Sequence, residues 1–351
     1  MENTSLKPVV REKGSEPFLQ VRRSVRTAGS LARYAASHLA MGTVFSVVAY
    51  GASSTFLEEV VRQVFREIDR LNDEMSHYKP VSELSAINRE AFGQLVPVSP
   101  GLFKLLEDSL RYGDETFGAF DITIGPLMKS WGFFRGWGRL PSSPELTEVL
   151  KRIGYRHVKL DAVRRTVSFD KPGIELDLGA IGKGYAVDRA TQILRAEGIT
   201  QALISSGTSS IYALGSPPGK EGWEVSVCHP LDRRRTAFSL RLQNLSISVS
   251  GDYEKFFELG GRIYAHIIDP NTGMPAEDMV MTAVISPSAA ESDALSTSFF
   301  VGGVKLSRAY LDHHPDLTAI FYTPIRSRHT IEQIVLRSTV TKLLADRFAR
   351  I

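Results

Sequence analysis

Between Gln201 and Ile285 the chain offers six strand-like runs with almost no helical period among them. QALIS, WEVSVCHP, AFSLRL, SISVS, IYAHIID and VMTAVI are rich in β-branched and aromatic residues, and turn residues separate them. Such a run of strands is incompatible with repeated βαβ units, because every parallel crossover needs its own helix. The pattern predicts an α+β fold with largely antiparallel sheets packed against helices. HVKLD and TVSFD read as another strand pair, GIELDLG as a strand entering a helix, and VFSVVAY within 41–50 as an early strand.

Helical periods lie mostly before that block. Phe56, Leu57, Val60, Val61, Val64, Phe65, Ile68 and Leu71 recur on one face of a long amphipathic helix. Ser99-Pro100 and Ser143-Pro144 each supply a cap followed by a first-turn proline, and Gly154 is placed to stop the second of these helices. Further helices are expected over about 184–197, around ESDALSTSFFV, and once or twice near the C-terminus. The Gly- and Trp-containing stretch from Trp131 to Leu140 reads as a surface loop or lid.

Composition removes several functions. Of 351 residues, 43% are hydrophobic and the formal charge is +3, with both signs mixed along the chain. No Lys/Arg stripe points to nucleic acid, and the eight histidines have no zinc-type spacing. Cys228 is the one cysteine, so it has no intrachain partner. No run approaches the ~18 apolar residues of a membrane span. The first 40 residues hold seven basic side chains against three glutamates, without an apolar signal region. The expected division is a basic tail over 1–37 ending in a short helix, a main domain over 38–325, and a helical extension over 326–351.

Several polar residues stand where chemistry is possible. Asp293 and Thr297 lie one turn apart on an expected helix, so their oxygens can take adjacent positions on a hard cation such as Mg²⁺. The same two residue types also cap helices. Asp121 in GAFDITIGP and Asp177 in ELDLGAIGKG can bind a ligand or hold a neighbouring turn. GAIGKG, with Lys183, places glycine amides at a helix start, where a diphosphate can sit, yet it matches neither a P-loop nor GxGxxG. His266 in AHIIDPNTG can act as a base, bind phosphate or pack as a structural residue, and Tyr78 can stack on a ring or on the core.

Taken in order, MGTVFSVVAYG, LNDEMSHYKPVSELSAIN, GAFDITIGPLMKSWGF, IELDLGAIGKGYAVDRA, SISVSGDYEKF, HIIDPNTGMP and SDALSTSFFVGG resemble the ApbE family of flavin transferases, from about Met41 to Gly303. The resemblance implies a T-fold-related α+β architecture with an elongated FAD pocket between two lobes. It implies transfer of FMN from FAD to a Ser or Thr hydroxyl of a target flavoprotein, with AMP as leaving group. By position it makes Met41, Tyr78, Ala119, Phe120, Asp121, Asp177, Lys183 and the backbone at Ile268 contacts to FAD. It gives Mg²⁺ to the Ala180 carbonyl, Asp293 and Thr297, and places His266 near the reacting phosphate. FAD hydrolysis to FMN and AMP, and flavin binding without catalysis, are the alternatives. Three departures stand out. No signal peptide or lipid-bearing cysteine precedes Met41, which leaves two expectations, a cytoplasmic enzyme or an incomplete start with a periplasmic or membrane-associated protein. Ser206, Gly207 and Thr208 stand where the family has an Asn followed by GGD, and Asp252 replaces a residue that is often neutral.

Overall fold

The computed structural model describes residues 11–12, 19–21, 31–325 and 327–337. At its centre is one eight-stranded sheet made of β1 (Ala32–Ala40), β2 (Thr43–Gly51), β3 (Gln201–Ser206), β4 (Ser210–Leu214), β5 (Leu245–Gly251), β6 (Met281–Ser286), β7 (Thr318–Ile325) and β8 (Ser327–Arg337). Their order across the sheet is their order along the chain, and every neighbouring pair is antiparallel. The other described elements from Ser54 on are insertions between adjacent strands, whereas Arg11–Glu12 and Leu19–Val21 precede β1. Met41 and Gly42 form the two-residue turn between β1 and β2 with φ of 50° and 69°. Positive φ at both positions marks the type I′ turn, whose twist matches that of the strands.

Seven α-helices are described: α1 (Ser54–Met75), α2 (Glu83–Glu90), α3 (Pro100–Glu115), α4 (Gly125–Ser130), α5 (Ser143–Leu150), α6 (Gly182–Ala196) and α7 (Ala289–Leu311). The first six lie between β2 and β3, and α7 joins β6 to β7. Ser99 caps α3 from its side chain and Pro100 opens it, as the sequence predicts. On one side of the sheet Phe45, Val47, Ala49, Ile204, Val284 and Phe321 share a core with the apolar faces of α1, α6 and α7. On the other, Ile211, Ile247, Val249, Ala283 and Ile320 pack beneath a hairpin of Trp223–Cys228 and Thr236–Leu242. Cys228 is buried in this second core.

The seat of α7 is partly polar. Alternation along β5 turns Ile247 and Val249 to the hairpin side and Ser246, Ser248 and Ser250 toward α7. Ser292 Oγ meets the Ser246 and Ser248 hydroxyls at 2.9 and 2.7 Å, and Ser296 meets Ser250 at 2.8 Å. All five are buried.

Three expectations are corrected. Ala32–Ala40 is a nine-residue strand, so the basic tail expected to run through residue 37 gives way to the sheet at Ala32, and no helix forms over Ala32–Ala40. Its alanines give no strand signal, and pairing with β2 along its whole length decides the conformation. The expected helical extension is replaced over Ser327–Arg337 by β8, which hydrogen-bonds to β7, while 338–351 lie outside the described residues. GIELDLG forms no strand. Its backbone is held by the Asn88 side chain, which accepts from Leu176 N at 2.7 Å and donates to Leu176 O at 3.0 Å, and by Asp177 N donating to Ile122 O at 2.7 Å. Of the remaining expected tail, Arg11–Glu12 pairs with Lys255–Phe256, and Leu19–Val21 pairs with Val225–Val227.

Candidate active site

Helices α6 and α7 meet N-terminus to N-terminus. A β-carbon on Gly184 would sit 2.1 Å from the Ala289 carbonyl oxygen, so only glycine lets the two backbones approach this closely. Ile181, the residue before α6, caps nothing with its side chain. Instead Gly184 N–H, which in a longer helix would donate to the Ala180 carbonyl, donates to Asp293 Oδ2 at 2.9 Å. The exchange is reciprocal. Asp188 on α6 accepts from Ser288 Oγ at 2.6 Å, Ala289 N at 2.7 Å and Ala290 N at 2.9 Å, the first turn of α7. Each carboxylate therefore stands at the positive end of the other's helix.

Asp293 is buried, and burial raises its pKa against the opposing pull of the Lys183 ammonium and the Gly184 amide. Thr297 follows one turn later, with Oγ1 3.2 Å from Ser250 Oγ. Ahead of α6, Asp177 Oδ1 accepts from Gly179 N at 2.7 Å and Lys183 Nζ donates to Gly179 O at 2.9 Å. The Asp177 carboxylate and the Lys183 side chain thus fold the Gly179–Gly184 turn from two sides.

Lys183 also links Asp293 to two other titratable groups. Its charge acts on Glu254 and on His266. Burial together with the Asp293 charge pushes Glu254 up to about 7, in spite of the Lys183, Arg233 and Lys255 cations. His266 moves the other way, to about 3, through burial and the Lys255 and Lys183 charges. Its ring Nδ1 lies 3.1 Å from the Lys255 carbonyl, which also accepts from His266 N at 3.0 Å. A carbonyl only accepts, so Nδ1 carries the proton and the Nε2 lone pair remains.

An open cleft of about 500 Å³ is lined by His77, Tyr78, Asn88, Lys129, Phe134 and Glu175, among others. The His77 ring stacks on Phe134 at 4.1 Å and contacts Tyr78 at 3.9 Å. The adjacent Phe133 sits edge-on to His266 at 6.4 Å and packs on Phe257. The 131–140 loop therefore joins the aromatic end of the site to its ionisable end. A small core of Leu127, Trp131, Val149, Phe257, Tyr264 and Ile268 backs the loop, and Trp131 Nε1 fixes the Gly273 carbonyl at 2.8 Å.

The structure brings Asp177, Ala180, Lys183, His266, Asp293 and Thr297 to the region of the α6 start, and it puts Tyr78 at the cleft mouth with 66% of its surface exposed. Asp121 is engaged within the fold. Its Oδ1 accepts from Thr123 N and Oγ1 at 2.7 and 2.6 Å, and its Oδ2 from Tyr155 N at 2.9 Å, so the carboxylate ties two chain segments together. Ala119 and Phe120 are buried, the latter edge-on to Tyr112, and Ile268 belongs to the small core. Met41 holds the β1–β2 turn, where its N–H donates to Asn72 Oδ1 at 3.2 Å. Sequence reasoning missed Asp188, Glu254, His77 and the Phe133-Phe134 pair. Asp188, an acidic residue inside an otherwise good helix, was the one with a readable signal.

The donor set at Asp293 suits Mg²⁺. Among the described residues no group of three or more His, Cys, Asp or Glu is arranged to hold an ion. Mg²⁺ does not require one, since it keeps several waters and combines one or two carboxylates with substrate phosphates. A buried carboxylate with a hydroxyl one turn away would supply the protein's share.

Residues 41–321 match the ApbE family. Over 319 residues the chain is 32% identical to the FAD:protein FMN transferase of Treponema pallidum, covering 86% of this chain and 88% of the relative. The Salmonella typhimurium FAD:protein FMN transferase is 31% identical, covering 76% and 77%. Among solved structures, the ApbE protein of Thermotoga maritima superposes with a TM-score of 0.77 at 29% identity, over 88% of this chain and 97% of that one. The flavin transferase ApbE of Vibrio cholerae gives a TM-score of 0.77 at 26% identity, over 88% and 98%. With four-fifths of its length matched by the family and a solved member superposing over 88% of it, this chain belongs to the ApbE family.

Proposed function

We propose that this protein transfers FMN from FAD to a Ser or Thr hydroxyl of a partner flavoprotein, with Mg²⁺ as the metal. The observation that carries the reading is the Asp293 carboxylate set on the glycine-rich start of α6, where Gly184 N–H donates to its Oδ2 at 2.9 Å and Lys183 closes the turn onto Gly179 O, in a chain of this family. In the reaction the acceptor oxygen attacks the FMN-side phosphorus, a new P–O bond forms, the bond to the AMP oxygen breaks, and AMP leaves.

Each step asks something of the residues present. The Gly179–Gly184 turn exposes backbone close to where a diphosphate would lie, and Lys183 adds positive charge there. Asp293, Thr297 and the Ala180 carbonyl would hold Mg²⁺, which when bound withdraws charge from the diphosphate oxygens. His266 Nε2 or the Glu254 carboxylate takes the hydroxyl proton. Of the two, Glu254 has its proton affinity nearer neutrality, whereas His266 stays neutral but is a weak base. The aromatic group of His77, Tyr78 and Phe134 offers ring faces to one planar end of FAD.

Incubation with FAD, Mg²⁺ and a partner flavoprotein, followed by intact-mass analysis, tests the reading. The expected result is an FMN-sized mass gain on the acceptor with one AMP released per adduct. AMP release without any adduct would replace transfer by FAD hydrolysis, and no AMP would leave only flavin binding.

A further inference from the structure

Asp293 does not set its own position. It reaches Gly184 N from the second turn of α7, so its height against the Gly179–Gly184 turn follows from where α7 begins. That beginning is fixed from α6. Asp188 takes three donors of the first turn of α7, with Ser288 Oγ and Ala290 N on Oδ2 and Ala289 N on Oδ1. The two contacts repeat one spacing: Asp188 stands four residues after Gly184, and Asp293 four residues after Ala289. At Gly184 the two backbones are so close that an added β-carbon would lie 2.1 Å from Ala289 O. Each aspartate thus reaches across the crossing to an amide of the residue that lies one turn before the other aspartate.

We propose that Asp188 is a positioning residue for the metal: by clamping the start of α7 onto α6 it sets the distance between Asp293 and the glycine-rich turn. The proposal rests on the reading of Asp293 as a Mg²⁺ ligand. A carboxylate is required at 188 because it offers acceptors on both oxygens, whereas an amide would turn an N–H toward Ala289 N or toward the Ser288 and Ala290 donors. A cap of ordinary kind would serve only stability. This one spans two helices and lies one turn from a ligand, so its loss alters ligand geometry as well.

The test measures FAD affinity by calorimetry across a Mg²⁺ series for wild type, Asp188→Asn, Ser288→Ala, Asp293→Asn and Leu194→Ala. Leu194 is buried in α6 away from the crossing, so its truncation lowers stability without touching either cap. Asp188→Asn is expected to raise the Mg²⁺ concentration needed for half-maximal FAD affinity by roughly 10–100-fold, the range for partners that orient a ligand. Ser288→Ala removes one donor of three and should move the same value less, which keeps the inference testable if Asp188→Asn does not fold. Leu194→Ala should leave the Mg²⁺ series unchanged at a lower melting temperature. A shift in Asp293→Asn with wild-type behaviour in Asp188→Asn and Ser288→Ala overturns the positioning role alone. An unshifted Asp293→Asn overturns the metal reading, and this inference with it.

Discussion

Gly184 and Ala289 touch backbone to backbone, and no side chain larger than a hydrogen fits at position 184. A methyl group there would also come within 2.7 Å of Asp293 Cβ. Gly182, two residues earlier on the same helix, is different, since an added β-carbon meets nothing closer than Met75 Cε at 3.8 Å. Gly184→Ala should therefore lower stability by about 1–3 kcal/mol or more, as overpacking does. Gly182→Ala should be neutral or gain up to ~1 kcal/mol from helix propensity. Denaturant unfolding of the two variants checks this, and equal stabilities would contradict the close crossing.

Asp293→Asn keeps the size of the side chain and an oxygen able to accept from Gly184 N–H, so the fold should survive. The anionic ligand is lost, and a hard cation binds amide oxygen far less well than carboxylate. Turnover at fixed Mg²⁺ should fall roughly 100-fold or more, exceeding the usual loss for an outer partner, and excess Mg²⁺ should restore only part of it. Thr297→Val should act in the same direction and less. Melting temperature and Mg²⁺-dependent turnover on one preparation decide the matter; a folded Asp293→Asn enzyme with normal Mg²⁺ dependence would remove this residue from the metal.

His266 gives a prediction in pH. Unfolded, its imidazole titrates near 6.5, and folded near 3. Between those values the unfolded chain binds a proton that the native protein refuses, so stability falls as the pH drops from about 6.5 toward 3. His266→Gln should lose that component, narrowing the difference in melting temperature between pH 7 and pH 4.5. In single-turnover assays at saturating FAD the same variant should slow transfer more than it weakens FAD binding. If Glu254→Gln slows transfer while His266→Gln does not, the proton goes to the carboxylate.

FAD and riboflavin should differ in their need for metal, because only FAD brings a diphosphate. Calorimetry with and without chelator should show FAD affinity falling when Mg²⁺ is removed and riboflavin affinity unchanged. Equal losses for both ligands would place the ion away from the phosphates.

What the sequence displayed followed from local period and local chemistry. The stripe of α1, the Ser99-Pro100 start of α3 and the alternation of β5 are each dictated by residues within a few positions. The β1 and β8 strands were hidden because ladder pairing, supplied by distant residues or by the following turn, outweighed weak local preference. The IELDLG segment misled in the opposite sense: its alternation is strand-like, yet Asn88 from far upstream takes the hydrogen bonds that a neighbouring strand would have made. For the site, Asp293 and Thr297 were legible as a pair one turn apart. The partner that seats them, Asp188, lies about a hundred residues away in the chain, and no single-helix period can announce a contact between two helices. Asp121 was legible as a carboxylate at a turn, but its partners were not, because the Tyr155 amide it accepts from comes from a segment 34 residues away.

The row of hydroxyls under α7 has a mechanical meaning. A helix resting on methyl groups can creep along its axis at little cost, since dispersion contacts are re-formed wherever it stops. The Ser292 and Ser296 hydroxyls match those of Ser246, Ser248 and Ser250 at one axial setting. A shift of one residue, ~1.5 Å along the axis, would leave several buried hydroxyls unsatisfied together, each costing about 1–3 kcal/mol. The sheet acts as a notched rail that holds the body of α7 along its axis, while Asp188 holds the helix start against α6.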